Sequence, residues 1–293
     1  MLSILIPVFN NKVVKLVKEL HDQCVRAKIK FEILVFDDGS REKIKQENKA
    51  LNGIFGVNYL ELSENIGRSR IRNKLAKTAG FPYLLYLDAD SKINSRKFIK
   101  NYIEAIDEDA ILNGGRIYSK KAPKAKSKLL HWKYGHKNES QKASLRNQHP
   151  IRFFHSNNFV VPKMIMLAHP FDETINQYGY EDLLFAHELV NKGYRVVHLD
   201  NFIIHNELEP KPKFLDKQIK AMENLNRLVS EQTQLDVKIW NLYKKLSALS
   251  IDKLISKIFG PSEKVRLRLI NKSDSLFQLQ LFKLLKFIEL RND

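Results

Sequence analysis

The segment from Tyr83 to Asp90 decides the fold, and it reads Tyr-Leu-Leu-Tyr-Leu-Asp-Ala-Asp. The apolar and aromatic residues before Asp88 predict a short buried strand, because a continuous apolar run after the breakers Gly80 and Pro82 suits a parallel sheet that is covered on both faces. Side chains two positions apart on a strand share a face. The carboxylates of Asp88 and Asp90 are therefore expected to converge where the strand ends.

A pair of carboxylates at the end of a strand suits a hard divalent cation, Mg²⁺ or Mn²⁺, that already carries phosphate groups. The alternative is that Asp88 caps the following segment and that Asp90 is a solvated loop residue, since Asp-x-Asp is a common tripeptide. The remainder of the chain has to decide between these two interpretations.

Strand and helix patterns alternate through the first part of the chain. Apolar runs predict strands at 2–8, 31–36, 57–62, 83–87 and 109–113, and helical spacing predicts helices at 12–27, 41–51, 68–79 and 95–107. Pro7 has no backbone N–H, so it is expected to end the hydrogen-bonded ladder of the first strand. The alternation predicts an α/β fold with a mostly parallel central sheet and helices on both faces.

Polar residues follow several of these strands. The motifs are Pro7-Val8-Phe9-Asn10, Asp37-Asp38-Gly39-Ser40, Glu64-Asn65-Ile66-Gly67 and Asp88-Ala89-Asp90. Ligands of open parallel sheets bind at the carboxyl ends of the strands, so these motifs are expected at one edge. The sequence has neither of the common glycine-rich phosphate loops. A nucleotide is therefore expected to be held by a metal ion and by strand-end loops.

The second part of the chain is less regular. The lysine-rich segment 116–150 predicts either a solvated excursion or a flexible loop that faces the substrate. A short strand is predicted at 156–162, a helix at 182–191, and a final strand at 195–198 that leads to Phe202-Ile203-Ile204-His205. Glu181 and Asp182 lie in the first turn of that helix, where acids either complement the helix dipole or serve a site.

Composition restricts the class of protein and its partners. The chain has 293 residues, with 50 Lys and Arg against 33 Asp and Glu, which gives a formal charge of +17. This excess suggests a polyanionic partner, whether nucleic acid, anionic lipid or nucleotide phosphates. The single cysteine, Cys24, excludes an intramolecular disulfide and fits a reducing compartment.

The amino-terminal residues and the hydropathy predict where the protein acts. The start, from Met1 to Pro7, has no basic region followed by a long apolar run, so a secretory signal is not expected. No uncharged apolar run reaches the length of about 18 residues that a membrane-spanning helix needs. We expect a cytoplasmic protein, with peripheral attachment to the inner face of the cytoplasmic membrane as an alternative.

The composition changes at about residue 210, which suggests two domains. We expect a first domain at 1–209 and a basic, mainly helical extension at 210–293. Pro210 and Pro212 predict a linker, and Gly260-Pro261 divides the extension. The last helix, at 275–290, has a wide apolar face. This face must be buried on the catalytic domain, on a partner subunit or in a bilayer interface.

Five motifs occur in the order found in a known family. They are Ser3-Ile4-Leu5-Ile6-Pro7-Val8-Phe9-Asn10, Asp37-Asp38-Gly39-Ser40, Asn65-Ile66-Gly67 with Arg72-Asn73, Asp88-Ala89-Asp90, and Glu181-Asp182. Together they resemble the family 2 glycosyltransferases, whose catalytic domain has the type A nucleotide-diphosphosugar transferase fold. The resemblance covers about residues 2–206. It implies that 1–209 is a glycosyltransferase catalytic domain, with a nucleotide-sugar half at about 1–115 and an acceptor half at about 116–209. The stretch 178–183 is also similar to an acidic motif in the carboxyl-terminal region of galactosyltransferases.

The resemblance implies roles for individual residues. The implied nucleotide-binding residues are Pro7, Phe9, Asn10, Asp37, Asp38, Gly67, Arg72, Asn73, Asp88 and Ala89. Asp90 is the implied ligand of Mn²⁺ or Mg²⁺, with Asp88 and His205 as further ligands, although His205 could equally be a core or surface histidine. Asp182 is the implied catalytic base, and Glu181 is implied to orient the acceptor.

The resemblance implies an inverting sugar transferase. Its donor is expected to be a nucleotide-diphosphate sugar, UDP-linked, and its acceptor a hydroxyl of a glycan or a lipid-linked glycan. An anionic membrane surface is a further expected partner of the extension, and nucleic acid is not expected. The alternatives are a sugar-1-phosphate nucleotidyltransferase and a non-enzymatic basic module that binds nucleic acid or membrane; acids at the sheet edge would repel the phosphates of a nucleic acid.

Overall fold

The computed structural model describes residues 1–174, 179–231 and 235–292. The chain forms two compact units, which we call the sheet unit and the helical unit. The sheet unit comprises Met1–Ser119, Glu139–Asn176 and Asp182–Glu207, and the helical unit comprises Lys120–Asn138, Gln177–Glu181 and Leu208–Asp293.

Ten strands occur among the described residues. They are β1 (Leu2–Val8), β2 (Phe31–Asp37), β3 (Val57–Glu61), β4 (Tyr83–Leu87), β5 (Ser91–Ile93), β6 (Ala110–Asn113), β7 (Arg116–Ile117), β8 (Asn158–Pro162), β9 (Arg195–His198) and β10 (Ile203–His205). All of them belong to the sheet unit.

The described helices alternate with these strands and then continue alone. They are α1 (Val14–Arg26), α2 (Glu42–Asn48), α3 (Arg68–Thr78), α4 (Phe98–Ala105), α5 (Leu129–Asn138), α6 (Ala143–Arg146), α7 (Lys163–Ala168), α8 (Glu181–Asn191), α9 (Lys211–Glu231), α10 (Lys238–Ala248), α11 (Ile251–Phe259), α12 (Ser262–Lys272) and α13 (Leu276–Asn292). Short 3₁₀ turns add Lys49–Leu51 and Lys126–Lys128.

The central sheet has, among the described strands, the order β3-β2-β1-β4-β8-β6-β9. Its pairs are parallel except those of β8, which runs antiparallel between β4 and β6. The predicted α/β fold with a mostly parallel sheet is confirmed. Because β8 is reversed, its first residue, Asn158, pairs with Leu87 at the end of β4.

Apolar clusters cover both faces of the central sheet, as the alternation of side chains along a strand requires. Ile4 of β1 and Leu20 of α1 belong to the cluster on one face. Leu5 belongs to the cluster on the other face, together with Ile71 of α3 and Phe185 of α8. The helices α3 and α8 therefore cover the same face of the sheet.

Pro7 ends the ladder of β1 on one side only, in contrast to the expectation. The ladder with β4 stops at Leu5, but the ladder with β2 continues to Val8. The Val8 carbonyl accepts a hydrogen bond of 2.7 Å from the Asp38 N–H. Successive residues of a strand bond to opposite neighbours, so the donor that Pro7 lacks is missing only toward β4.

The segment 116–150 is neither a solvated excursion nor a flexible loop throughout. It contains β7, α5 and α6, and Leu130 of α5 is completely buried in an apolar cluster of the helical unit. This cluster also contains Phe214 of α9, Val265 of α12 and Phe282 of α13. A mid-chain helix and the carboxyl-terminal helices therefore share one core.

The predicted linker does not include Pro212. Pro210 lies outside the helices, but α9 begins at Lys211, and proline is tolerated in a first helical turn, where no N–H donor is needed. The apolar face of α13 is buried inside the helical unit, with Leu279, Phe282 and neighbouring residues nearly inaccessible. Among the described helices, none is long and apolar enough to cross a membrane.

Candidate active site

The ends of β1, β2 and β4 lie at one edge of the central sheet because these strands are parallel. The start of β8 lies at the same edge, because this strand is reversed. The Asp88 N–H donates a hydrogen bond of 3.2 Å to the Asn157 carbonyl, which extends this pairing beyond the strands. Residues from four strands therefore meet around the Asp88–Asp90 segment.

Asp90 and His205 form a close pair. The antiparallel pairing of β5 with β10 brings His205 opposite Ser91. An Asp90 carboxylate oxygen then lies 2.9 Å from the His205 Nδ1 atom, and the two side chains are only 13% and 16% exposed. Burial by itself would raise the pKa of Asp90, but His205 and Arg116 lower this pKa below its ordinary value. The Asp90 carboxylate is thus ionised at neutral pH.

The Asp90–His205 pair fits a divalent metal ion. The second oxygen of Asp90, Oδ1, is buried and has no hydrogen-bond partner in the part of the chain that the structure describes. Within 1–174, 179–231 and 235–292, no group of three or more His, Cys, Asp or Glu residues is arranged to hold a metal ion. An ion at this pair would therefore complete its coordination with phosphate oxygens or water, as Mg²⁺ and Mn²⁺ commonly do.

Asp88 pairs with an arginine. Its carboxylate lies 2.7 Å from the guanidinium of Arg72, a residue of α3 whose side chain is 7% exposed. The Arg72 Nε atom is buried and lacks a hydrogen-bond partner among the described residues. The pair thus brings a cation to the edge where a nucleotide's phosphates are expected.

Asp182 lies on the same face of the sheet, at the start of α8. Burial by itself would raise its pKa, but Arg72, His155 and hydrogen bonds from Ser156 lower the pKa below its ordinary value. Its Oδ1 atom is buried, and no described residue hydrogen-bonds to it. Asp182 is therefore an ionised carboxylate with one free acceptor oxygen.

Asp37, the last residue of β2, and Asp38 form hydrogen bonds that hold the neighbouring loops in place. The Asp37 carboxylate accepts hydrogen bonds from the Ser40 N–H, at 2.7 Å, and from the Tyr59 hydroxyl, at 3.3 Å. The Asp38 carboxylate accepts from the backbone N–H groups of Ile66 and Gly67, at 2.7 and 3.1 Å. Burial raises the pKa of Asp38 despite these bonds. Both acids already have partners and shape the expected nucleotide pocket.

The loops after β2 and β3 can approach each other closely only because residue 39 is glycine. A Cβ atom at this position would lie 2.7 Å from the Glu64 backbone, and its φ of +73° favours glycine. Asn10 also has a positive φ, 57°, and its N–H donates to the Ser40 hydroxyl at 2.7 Å. The loops after β1, β2 and β3 are therefore joined by direct contacts.

The remaining expected nucleotide-binding residues differ in accessibility. Phe9 is 51% exposed beyond the end of β1, whereas Pro7 lies within that strand and Ala89 packs partly against the core. Asn73 uses its amide to bind the Phe171 backbone, with hydrogen bonds of 2.9 and 3.0 Å. Its side chain therefore holds that segment on α3.

Glu181 stabilises a turn in the helical unit. Its carboxylate accepts a hydrogen bond of 2.8 Å from the Gly179 N–H. A Cβ atom at Gly179, where φ is 104°, would lie 2.7 Å from that of Ala221 on α9, so this turn requires glycine. The expected role of Glu181 in orienting the acceptor stays a prediction. Tyr178, the first residue of the galactosyltransferase-like stretch, lies outside the described residues.

Comparison with known families decides the classification. The family model described as glycosyl transferase family 2 matches residues 3–166, more than half of the chain. The chain belongs to glycosyl transferase family 2. This result does not favour the two alternatives, a nucleotidyltransferase and a non-enzymatic basic module.

Two curated relatives of this family 2 glycosyltransferase are named chondroitin synthase and hyaluronan synthase. Chondroitin synthase of Escherichia coli is 24% identical over 79% of this chain, and hyaluronan synthase of Pasteurella multocida is 22% identical over 74%. These matches span only 38% and 25% of those proteins, so the chain corresponds to a part of each relative.

Solved structures share the fold at low identity. The mannosyltransferase PcManGT from Pyrobaculum calidifontis, in complex with GDP-Man and Mn²⁺, matches with a TM-score of 0.62 at 14% identity, covering 99% of this chain and 86% of that chain. TarS 1–349 of S. aureus in complex with UDP-GlcNAc matches with a TM-score of 0.52 at 19% identity, covering 99% and 90%. These similarities support the type A fold that the motifs predicted.

The structure also places residues of this glycosyltransferase that the sequence analysis did not identify. Arg116 and Glu139 form an ion pair of 2.8 Å with side chains that are 18% and 12% exposed. The Tyr118 hydroxyl donates a hydrogen bond to Glu139, and the Tyr118 ring contacts the His205 ring edge-on at 5.3 Å. His155 interacts electrostatically with both Glu139 and Asp182. A buried network thus adjoins the Asp90–His205 pair.

Replacing Glu139 with glutamine is expected to destabilise the fold in a pH-dependent manner. Burial by itself would raise the pKa of Glu139, but Arg116, His155 and Tyr118 lower it from 4.5 to about 2. A carboxyl group whose pKa is lower in the folded state than in the unfolded state stabilises the fold. This stabilisation is complete above the unfolded-state pKa and is lost as the pH falls toward 2. The variant should lose on the order of 3 kcal/mol at pH 7. Urea unfolding between pH 7 and pH 3 tests this, and a loss that does not shrink at low pH contradicts it.

Asn157 is the least explained residue at the sheet edge. It is 3% exposed, and neither its amide nitrogen nor its amide oxygen has a hydrogen-bond partner in the described ranges. Leaving a buried polar group unpaired costs about 1–3 kcal/mol. No local sequence signal distinguishes Asn157 from the neighbouring Asn158, so only the structure identifies it.

Proposed function

We propose that this family 2 glycosyltransferase moves a sugar from a nucleotide-diphosphate donor, UDP-linked, to a hydroxyl of a glycan or lipid-linked glycan, with inversion at the anomeric carbon. One observation carries the proposal. At one sheet edge, two ionised carboxylates, Asp90 and Asp182, each present a buried oxygen that no described residue binds. The neighbours solved with GDP-Man and Mn²⁺ and with UDP-GlcNAc support this donor class.

The two carboxylates suit different tasks. Asp90 is paired with His205, and these two residues would hold Mn²⁺ or Mg²⁺. When bound, such an ion supplies positive charge that stabilises the departing nucleotide diphosphate. Arg72 brings a further cation to the same edge through its contact with Asp88.

Asp182 suits the role of the general base. An acceptor hydroxyl must lose its proton as it attacks the anomeric carbon, and the Asp182 carboxylate has a free oxygen to take it. The bond from the acceptor oxygen to the anomeric carbon forms while the bond to the phosphate oxygen breaks. One displacement of this kind inverts the configuration at the anomeric carbon.

A donor screen tests the proposed function. Hydrolysis of a panel of UDP-, GDP- and other nucleotide-linked sugars is measured with Mn²⁺, with Mg²⁺ and with EDTA. We expect metal-dependent release of the nucleotide from at least one UDP-sugar. Absence of both binding and turnover for the whole panel would show that the proposal is wrong. The curated synthases named for chondroitin and hyaluronan support testing glycan acceptors next.

We also propose that α11 of the helical unit contacts an anionic membrane surface. Leu254 and Ile258, one helical turn apart, are 54% and 65% exposed, and the flanking Lys253 and Lys257 are exposed as well. Apolar side chains bordered by lysines match the boundary between acyl chains and acidic headgroups. This assignment moves the expected membrane contact from α13, whose face is buried, to α11.

Vesicle sedimentation tests this contact. Replacing both Leu254 and Ile258 with serine is expected to weaken binding to phosphatidylglycerol-containing vesicles by about tenfold or more, because each apolar side chain that leaves the interface forfeits about 1 kcal/mol or more. Phe55, an 88% exposed aromatic residue of the sheet unit, provides the control substitution Phe55→Ser. Equal binding by the wild type and the double variant would refute the assignment.

A further inference from the structure

The buried amide of Asn157 contrasts with that of its neighbour. The Asn158 amide nitrogen donates to the carbonyls of Gly115 and Asn201, at 2.8 and 2.9 Å, and its amide oxygen accepts from the Tyr102 hydroxyl at 2.7 Å. The Asn157 amide makes no hydrogen bond within the described residues. The Asn158 amide is thus fully engaged in hydrogen bonds of the fold, whereas the Asn157 amide can still bind a ligand.

Asn157 lies in the turn that leads into β8, two residues before Phe159, which packs on one face of the central sheet. Phe159 contacts Phe185 of α8, with ring centroids 6.0 Å apart. This face is covered by α3, which carries Arg72, and by α8, which carries Asp182.

Asn157 lies between the two ends of the proposed reaction. Its carbonyl accepts from the Asp88 N–H, next to the metal-binding segment, and the preceding residue, Ser156, hydrogen-bonds to Asp182. Arg72, which binds Asp88, and Asp182, which binds Ser156, each have a buried polar atom without a partner among the described residues. Unpaired donors and acceptors therefore occur on the residues that contact this segment, which suits a ligand that has several hydroxyl groups.

We propose that the Asn157 amide binds the sugar ring of the nucleotide-sugar donor, through a hydroxyl or acetamido group that both donates and accepts a hydrogen bond. The inference rests on the proposed function and extends it to the sugar. A sugar in transfer has its phosphate on the Asp88–Asp90 side and its acceptor on the Asp182 side, so its ring occupies the position between them. The nucleotide itself is bound elsewhere along the edge and should not depend on Asn157.

The substitution Asn157→Leu separates this role from a structural one. Leucine has the same number and branching of side-chain heavy atoms and removes a buried polar group that has no partner, so the thermal midpoint should stay close to that of the wild type. The Michaelis constant for the UDP-sugar donor should rise about tenfold or more, because sugar hydroxyls then lose their partner. The inhibition constant of UDP with Mn²⁺ should remain that of the wild type. Asn157→Ala, which cannot overpack the site, should show the same kinetic change.

Asn201→Leu is the matched control. Asn201 is 2% exposed, and its amide binds the Phe98 carbonyl at 2.9 Å and the Asn101 side chain at 3.0 Å. This variant should lower the thermal midpoint without changing the Michaelis constant for the donor. Wild-type donor affinity in both Asn157 variants would overturn the inference alone, as would a fall of the thermal midpoint like that of Asn201→Leu. If the wild type binds no nucleotide sugar, the proposed function itself fails, and this inference fails with it.

Discussion

Asp182→Asn is expected to reduce sugar transfer by about a hundred- to ten-thousandfold while leaving donor affinity unchanged, because the amide keeps the volume of the side chain but cannot take a proton. The carboxylate's pKa is lowered, so the base stays ionised as the medium becomes mildly acidic. The wild-type rate should therefore not fall between pH 7 and pH 5 through protonation of Asp182. Steady-state kinetics across this range, with donor affinity from calorimetry, measure both effects.

Asp107→Asn provides a matched control for this substitution. Asp107 is partly exposed, forms an ion pair of 2.7 Å with Arg195, and precedes β6 at the edge of the sheet away from the carboxyl ends of the parallel strands. Its loss should leave transfer close to that of the wild type. A normal transfer rate in Asp182→Asn would show that another group is the base.

Asp90→Asn is expected to abolish the metal dependence of nucleotide binding. The neutral amide removes the charge of the carboxylate whose free, buried oxygen is the strongest candidate ligand in the structure. We expect affinity for UDP in the presence of Mn²⁺ to fall at least about a hundredfold, toward the value that the wild type shows in EDTA. Calorimetry with and without the chelator gives both affinities, together with direct Mn²⁺ binding by electron paramagnetic resonance.

The same measurement distinguishes Asp90 from its neighbour Asp88. Asp88 is paired with Arg72, so Asp88→Asn should weaken nucleotide binding in EDTA as well as in Mn²⁺. If Asp90→Asn retains the full difference between Mn²⁺ and EDTA, Asp90 is not the metal ligand. The assignment of the metal site would then have to be abandoned.

The sequence predicted the central sheet well because its signals are local. An apolar run such as Tyr83–Leu87 is buried on both faces, and several of the parallel strands end in a polar motif, so both the element and its edge can be predicted from one segment. The resemblance implied that Asp90 and His205 hold the same metal ion, and the structure has their side chains 2.9 Å apart; binding of a metal by this pair stays a prediction.

The residues that the sequence analysis missed depend on contacts between distant segments. Glu139 is an ordinary glutamate in a lysine-rich stretch until Arg116 and Tyr118 from β7 and its flank enclose it. Asn157 is placed by the reversed direction of β8, and an apolar run does not encode strand direction. Pro212 was mistaken for part of a linker, since a proline is compatible with either a loop or a first helical turn.

Leu130 has a consequence for how this protein can be recombined with its relatives. Its side chain comes from the middle of the chain and is buried against Phe214, Phe282 and other residues of the carboxyl-terminal helices. A chimera that exchanges only residues 208–292 would pair a foreign helical core with the wrong α5. Exchanging 120–138 and 208–292 together preserves that core. A chimera should therefore take 120–138 and 208–292 from the same parent protein.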